Sequence, residues 1–247
     1  MVELLVIIIA MVVIFFILFQ LKKTLFLFGF FFRLISIAFI VLIVGGIVFG
    51  YYIIKDANTF RNNFGNSSNM FLLKQNIDGK DHMLVGVTIN YTNKTFDTLT
   101  QDKLSDIEKA YDEGKLNTLT KDYYKIFVID MSSVDNISLY NISDKNVMLT
   151  KDEMKEVLLS SDARSTFAGI MAQKQHQDKD VVMGQLSASS EEIKGYVFSY
   201  YLMTVFNTKN MDKFLTEFRD GRIKVYDETT MFTAIKLFPS VLMNQIV

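Results

Sequence analysis

The chain has 247 residues, 50% hydrophobic and 21% charged, with a formal net charge of −1 and a pI near 6.1. This near-neutral charge lacks the basic excess typical of nucleic-acid-binding proteins, so no nucleic-acid partner is predicted. The absence of cysteine excludes disulfides, thiolate metal sites and a cysteine nucleophile, and two histidines, His82 and His176, are too few for an imidazole-rich metal site.

The first fifty-odd residues predict a membrane segment. Sixteen consecutive apolar residues follow Glu3, and residues 34–54 form a second run of twenty-one residues without a charge. A helix needs roughly 20 apolar residues to cross the hydrocarbon core. We therefore predict a two-helix transmembrane hairpin over residues 1–55, with helices at about 4–21 and 34–54. A cleaved signal peptide is the alternative for the first run, but its start is not basic and no small-residue cleavage site follows it.

Residues 21–33, between the two runs, are short, basic and rich in phenylalanine. They predict either a tight turn in the headgroup zone or a lipid-recognition loop, and the turn is favoured because basic residues are routine beside membrane helices. Two tyrosines end the second run, where amphipathic rings favour the lipid–water boundary. The predicted membrane-interface residues are Lys22, Lys23, Arg33, Tyr51 and Tyr52.

Gly46 and Gly50 form a GxxxG motif in the second run. This spacing allows close helix packing, either against the first helix or between two copies of the hairpin. Neither run carries a charge in its interior, which argues against an ion path. The predicted partners are the lipid bilayer and another membrane protein or a second copy.

The basic residues of the loop predict its orientation. By the positive-inside rule the loop lies in the cytoplasm and both ends of the hairpin lie outside. We therefore predict a multi-pass protein of the cell membrane whose soluble domain is extracytoplasmic. Five Asn-x-Ser/Thr sequons favour the same side, although an asparagine-rich sequence also produces them by chance. The candidate N-glycosylation residues are Asn66, Asn90, Asn93, Asn136 and Asn141.

The rest of the chain predicts a linker and one soluble domain. Residues 56–69 are polar and predict a juxtamembrane linker with a short helical turn. Residues 70–247 predict an α+β domain, with a mainly antiparallel sheet packed by several helices, because strands precede the core helices. Strands are expected over residues 70–74, 83–90, 124–131 and 222–226, with a further hairpin through 141–145.

Turn and cap signals separate these elements. Asp78 and Gly79 predict the turn of the first hairpin. Residues 178–184 predict a loop with a short strand inside it. Helices are expected over residues 101–113, from the Thr150–Glu153 capping box onward, and over 163–175, 189–206, 211–218 and 229–246, the last interrupted by Pro239.

No catalytic or cofactor motif appears: GxGxxG, GxxxxGK[ST], GxSxG and HExxH are all absent, and no cofactor or metal is predicted. Carboxylates beside an imidazole could bind a cation or move a proton, but hairpin tips and loops are built from the same residues, so a structural role is favoured. The two clusters of this kind are Asp78, Lys80, Asp81 and His82, and His176, Asp178, Lys179 and Asp180.

Two further features remain open. Asp130 ends an apolar strand, where a catalytic acid lies in a parallel sheet, but the expected sheet is antiparallel and a structural role is favoured. The aromatic stripe over residues 196–206 is expected to be core, with a ligand cavity as the alternative. Arg164 and Asp162 predict a surface pair or a helix cap.

These observations favour a membrane-anchored protein that presents an interaction or scaffold domain, either at the cell surface or as an accessory subunit of a membrane complex. The alternative is a membrane-tethered hydrolase or lipid-active enzyme with a dispersed carboxylate site. An enzyme should show a deep pocket where carboxylates or a histidine converge, whereas an interaction module should show an apolar groove.

Overall fold

A computed structural model describes residues 2–21, 29–93, 95–136, 140–142, 147–206 and 211–237. Contacts divide the chain into two compact units, Met1–Thr59 with Thr229–Val247 (the terminal unit) and Phe60–Glu228 (the sheet unit). The helices are α1 (Val2–Leu21), α2 (Gly29–Phe64), α3 (Gln101–Asp112), α4 (Lys151–Leu159), α5 (Ala163–Gln175), α6 (Lys179–Gln185), α7 (Ser190–Val205), α8 (Met211–Arg219) and α9 (Thr230–Leu237). The strands are β1 (Ser68–Ile77), β2 (Lys80–Asn90), β3 (Thr95–Thr98), β4 (Lys125–Asp130), β5 (Tyr140–Ile142), β6 (Val147–Leu149) and β7 (Ile223–Tyr226).

Helix α2 is long and apolar enough to cross a membrane over Ile35–Phe64. Most of its described branched side chains are exposed, Val41 and Leu42 by more than 60%. A row of exposed apolar side chains of this length is stable in lipid and unfavourable in water. Helix α1 is also apolar, but only its shorter segment Ile8–Ile17 stands out among the described residues, so the predicted two-helix hairpin is not confirmed. The structure supports one membrane-spanning helix.

The residues predicted as a linker are helical as far as Phe64, so α2 extends past residue 55, where the membrane segment was predicted to end. Phe60 and Phe64 lie one turn apart and are half-buried, while the polar residues between them face solvent. The ring of Phe64 lies 5.9 Å from that of Phe127 and 6.5 Å from that of Phe71. These aromatic contacts stabilise the last turn of the helix, which the polar composition alone does not predict.

The terminal unit also contains α9, which follows the sheet unit in the chain. The backbone N–H of Met231, in the first turn of α9, donates to Asp56 Oδ2 at 3.3 Å. A carboxylate of α2 therefore caps α9, since the first N–H groups of a helix have no partner within it. The helix is described as far as Leu237, and the predicted kink at Pro239 lies outside the described residues.

The sheet unit is built on a mixed five-stranded sheet with the order β3-β2-β1-β4-β7. Three pairings are antiparallel, but β1 and β4, the two most buried strands, run parallel. The expectation of a mainly antiparallel sheet therefore holds outside this central pair. Both faces of β1 and β4 are covered, which explains why their sequences are continuous apolar runs without alternation.

One face of the sheet packs on α3 and the 3₁₀ segment Leu116–Lys121, with a core that includes Met70, Leu72, Ile126 and Val128. On this face a Cβ at Gly86 would lie 2.6 Å from Leu99 Cδ1 and 3.0 Å from Leu104 Cδ2 of α3, so glycine permits the close approach of both side chains. The predicted β1–β2 hairpin is confirmed, with its turn at residues 78–79. The predicted helix over 101–113 is also confirmed, although Thr100 makes no side-chain capping bond.

The remaining helices follow the sequence predictions with one exception. The Thr150–Glu153 capping box and the helices at 163–175, 189–206 and 211–218 are present. Residues 179–185, in the segment predicted as a loop with a short strand, form helix α6 instead. Asp178 begins this helix by accepting from Asp180 N at 2.7 Å, and Val182 is buried while Val181 is exposed. The short apolar run is therefore helical, with Val182 on the buried face and Val181 on the exposed one.

Candidate functional site

A groove of about 700 Å³ lies in the sheet unit between α5, α6, α7 and the edge strand β3. This volume lies within the range of small-molecule and peptide pockets. Most of its wall is apolar or aromatic, and the side chains concerned are Phe96, Phe167, Met171, Val182, Ile193 and Tyr196. The polar side chains along it are Asp97, Thr98, Gln175, Gln185, Ser187 and Glu192.

Local sequence signals place the helices that form the groove. Ser189 and Glu192 form a capping box that starts α7, because the serine oxygen accepts from Glu192 N and the glutamate accepts from Ser189 N. Asp162 caps α5 by accepting from Ser165 N at 3.0 Å. Arg164 donates to the carbonyl oxygens of Met183 and Leu186, which fastens the end of α6 to α5. Of the two residues expected to form a pair or a cap, Asp162 caps α5, whereas Arg164 joins α5 to the end of α6.

The aromatic stripe over residues 196–206 has two faces. Val197, Phe198 and Tyr201 are core residues, as predicted. Tyr196 lines the groove, and its ring lies 5.1 Å from that of Tyr200, with the two hydroxyls 3.2 Å apart. One face of α7 is therefore part of the core, as expected, and the other contributes to the wall of the groove.

Few charged side chains line the groove. Among the described residues no lysine, arginine or histidine lines it. Of its two carboxylates, that of Glu192 is held by the capping box. A hydrolytic site requires an acid, a base or a nucleophile aimed at one reacting atom, and the groove offers no such convergence.

A second polar cluster lies at the carboxyl ends of the parallel strands β1 and β4. Lys74 Nζ lies 2.8 Å from Asp81 Oδ2 and 3.3 Å from Asp130 Oδ2, and the lysine is only 8% exposed. The hydroxyl of Tyr111 donates to Asp81 at 3.1 Å, and Asn76 donates to the same carboxylate. The structure thus brings together Asp81 and Asp130, which the sequence placed in two separate features.

Both carboxyl groups of this cluster are held ionised. Burial acts to raise the pKa of Asp81, but hydrogen bonds from Lys74, Asn76 and Tyr111 outweigh it and lower that pKa overall. Burial also acts to raise the pKa of Asp130, but hydrogen bonds from Ser132 and the charge of Lys74 outweigh it and lower that pKa overall. Burial raises the pKa of Tyr111, which stays a donor. The cluster is therefore a network of ion pairs and hydrogen bonds between Lys74, Asp81, Asp130 and Tyr111.

The other predicted site residues have structural positions. Asp78 adopts a left-handed conformation in the hairpin turn, and Lys80 is exposed at the start of β2. His82 Nδ1 lies 3.3 Å from Glu108 Oε1, and the other oxygen of that carboxylate accepts from Met83 N at 2.8 Å. Glu108 therefore accepts a hydrogen bond from a backbone N–H of β2 at a position that β3 does not reach.

The cluster around His176 does not converge on one point. His176 ends α5 in a left-handed conformation, and Asp178 caps α6. Lys179 donates to Ser165 at 2.7 Å, while Asp180 is exposed. No group of three or more His, Asp or Glu side chains that could hold a metal occurs within the described ranges.

The sequons are distributed along the sheet unit. Asn66 and Asn93 are exposed, and Asn90 is half-buried with its Oδ1 accepting from Thr92 N and Asn93 N. The side chains of Asn136 and Asn141 lie outside the described residues, as do the residues Lys22 and Lys23 and the side chain of Arg33. Tyr51 and Tyr52 are exposed on α2.

Comparisons with known proteins give no further guidance. No family model matches the chain, and no curated protein or solved structure is significantly similar to it. The groove, the ion pair cluster and the apolar helix α2 are the features of the described residues that bear on function.

Proposed function

We propose that this is a membrane-anchored interaction protein, in which α2 holds the chain in the bilayer and the groove of the sheet unit binds a partner protein. The observation that carries the proposal is the groove itself, about 700 Å³ in volume and lined by aromatic and aliphatic side chains without a converging catalytic group. Grooves of this composition are typical of surfaces that bind an apolar segment of another protein.

Membrane attachment is supported by α2, because its segment Ile35–Phe64 is apolar, largely exposed and long enough to cross a bilayer. We further propose that α1 is a second span, so that Lys22 and Lys23 between the two helices and Arg33 near the start of α2 lie on the cytoplasmic side. The sheet unit is then extracytoplasmic, where sequons such as Asn66 and Asn93, both exposed, would be accessible to glycosylation. A role as an accessory subunit of a membrane complex follows from these two features together.

The alternative function, a hydrolase or lipid-active enzyme, would use the carboxylates of Asp81 and Asp130. Their position at the ends of parallel strands favours this alternative, because catalytic acids are common there. Two properties oppose it: Lys74 bridges both carboxylates, and the pKa of each is lowered when a general acid needs a raised one. The interaction function is therefore the better supported of the two.

Site-specific photo-crosslinking in native membranes tests the proposal. A photoreactive amino acid is placed at Phe96 or Tyr196, which line the groove, and at Ile77, which is 46% exposed at the β1–β2 hairpin tip of the same unit. We expect a discrete, light-dependent cross-linked species from both groove positions and none from position 77. Equal products from all three positions, or none from the groove, would contradict a binding role for this surface.

A further inference from the structure

The residues around the groove also indicate the chemistry of its partner. Resting on the proposed function, we infer that the groove binds an apolar peptide segment that carries lysine or arginine beside its apolar residues. The groove joins an apolar wall to two acidic side chains, Asp97 and Glu192.

The charge along the groove has one sign. Asp97 on β3 and Glu192 on α7 are its two acidic side chains, and among the described residues that line it there is no basic one. The next charged pair along α7, Glu191 and Lys194, lines a separate small pocket and carries both signs. A basic segment is favoured beside Asp97 and Glu192, and an acidic one is repelled.

The side chain of Glu192 is ordered before a partner binds. The carboxylate of Glu192 accepts from Ser189 N at 2.7 Å, so its side chain is already ordered. One oxygen of a carboxylate can accept more than one hydrogen bond, so this cap does not prevent a lysine from approaching. Ordering before binding reduces the entropy that a new ion pair must overcome.

The shape of the surface favours a segment over a compact small molecule. On α7, Ile193 and Tyr196 line the groove, and Tyr200 and Met203, which is 67% exposed, follow at helical spacing beyond the lining residues. Ten residues of helix extend about 15 Å, which is the length of four or five residues of an extended peptide. Phe96, exposed at the sheet edge, forms the other wall.

Binding of three synthetic peptides to the full chain tests this inference. The peptides share the core Leu-Ser-Phe-Ser-Leu and are flanked on both sides by two lysines, two glutamines or two glutamates. Each is labelled with fluorescein, and its anisotropy is measured with the protein in nanodiscs of zwitterionic lipid, with empty nanodiscs as the blank. We expect the lysine peptide to bind about tenfold more tightly than the glutamate peptide at low salt, the effect of two partly exposed ion pairs, and the difference to shrink in high salt.

Two variants locate the effect. In Asp97→Asn with Glu192→Gln the preference for lysine should fall severalfold while the glutamine peptide binds as before, because glutamine keeps the capping box and the apolar wall is unchanged. In Ser187→Trp, at an exposed position on the groove wall, all three peptides should bind more weakly. Equal affinity for the three peptides, or a lysine preference that survives the double substitution, would overturn the inference.

The two proposals fail in different ways. If cross-links form at positions 96 and 196 but Ser187→Trp changes the binding of no peptide, the groove binds a partner of another chemistry and only this inference falls. If the protein sediments as a dimer that Ser187→Trp dissociates, the occupant is a second copy, and the inference falls again. If neither cross-links nor peptide binding are found, both proposals are wrong.

Discussion

Gly195 of α7 lies directly against Thr98 of β3. A Cβ at position 195 would lie 2.7 Å from Thr98 Cγ2 and 2.9 Å from its Cβ, and closer still to its hydroxyl. The edge strand and the helix that form two walls of the groove are therefore in contact through a residue that has no side chain. The distance between these walls is set by glycine at this position.

Replacing Gly195 with alanine should therefore destabilise the sheet unit. We expect a loss of about 1–3 kcal/mol, because an added methyl group in a packed contact forces a shift of the strand or the helix. The free energy of unfolding of the full chain can be measured by pulse proteolysis in detergent. Gly184→Ala is the matched control: nothing lies within 4 Å of a Cβ there, so this change in a helix should leave stability unchanged or raise it slightly. An equal loss in both variants would contradict the contact.

Removal of the cation of the ion pair cluster should also destabilise the unit. Lys74→Met leaves Asp81 and Asp130 without their shared partner in a site where the lysine is nearly buried. We expect a loss of about 2–3 kcal/mol at neutral pH, somewhat below the value for a fully buried pair because both carboxylates are partly exposed. Lys80→Met, at an exposed position on the same hairpin, should have almost no effect. If the two substitutions cost the same, the cluster contributes nothing.

The same cluster predicts how stability depends on pH. The pKa values of Asp81 and Asp130 are lower in the folded chain than in the unfolded one, where aspartate titrates near 3.9. The unfolded state therefore takes up protons first, so this contribution is complete above about pH 4 and is lost as the pH falls toward the folded pKa values. Unfolding midpoints between pH 3 and 6 should fall less steeply in Asp130→Asn than in the natural chain. A parallel decline in the two proteins would show that Asp130 does not contribute.

A buried hydroxyl pair offers a test of the packing of α7. Ser133 Oγ donates to Asp130 O at 2.7 Å and lies 2.6 Å from the hydroxyl of Tyr201, so the tyrosine is the donor of the second bond. Tyr201→Phe should cost about 1–2 kcal/mol, because it removes that donor from a dry site. A double-mutant cycle with Ser133→Ala should give a coupling energy of about 1 kcal/mol. Strict additivity of the two losses would argue against the bond.

The proposed orientation of the chain can be measured because it contains no native cysteine. Ile77→Cys introduces one thiol at the exposed hairpin tip of the sheet unit. In intact cells this thiol should react with a membrane-impermeant maleimide to the same extent as after permeabilisation. Protection that disappears on permeabilisation would place the sheet unit in the cytoplasm and contradict the extracytoplasmic proposal.

Local patterns in the sequence predicted most of the helices and strands but not their arrangement. The run over Lys125–Asp130 has no alternation, which is typical of a strand buried on both faces, and this property was the available signal for the parallel pairing with β1. Helix α6 was missed because two adjacent valines resemble a strand, although Asp178 and Asp180 provide a helix start.

The two candidate sites were less predictable than the fold. Lys74 joins Asp81 and Asp130 only after β1, β2 and β4 have paired, and no spacing in the sequence indicates that convergence. The groove likewise collects side chains from Phe96 to Tyr196, one hundred positions apart in the chain. Such surfaces depend on tertiary contacts such as that of Gly195, so periodicity and motifs cannot reveal them.

The central claim is that the groove is occupied in the native membrane, and cysteine footprinting tests it most directly. Single thiols are introduced by Ser187→Cys in the groove and Ile77→Cys at the hairpin tip, both at exposed positions. Their rates of reaction with N-ethylmaleimide are compared between native membranes and the purified protein. The account predicts that position 187 reacts several times more slowly in native membranes while position 77 is unchanged. Identical rates for position 187 in the two preparations would contradict it.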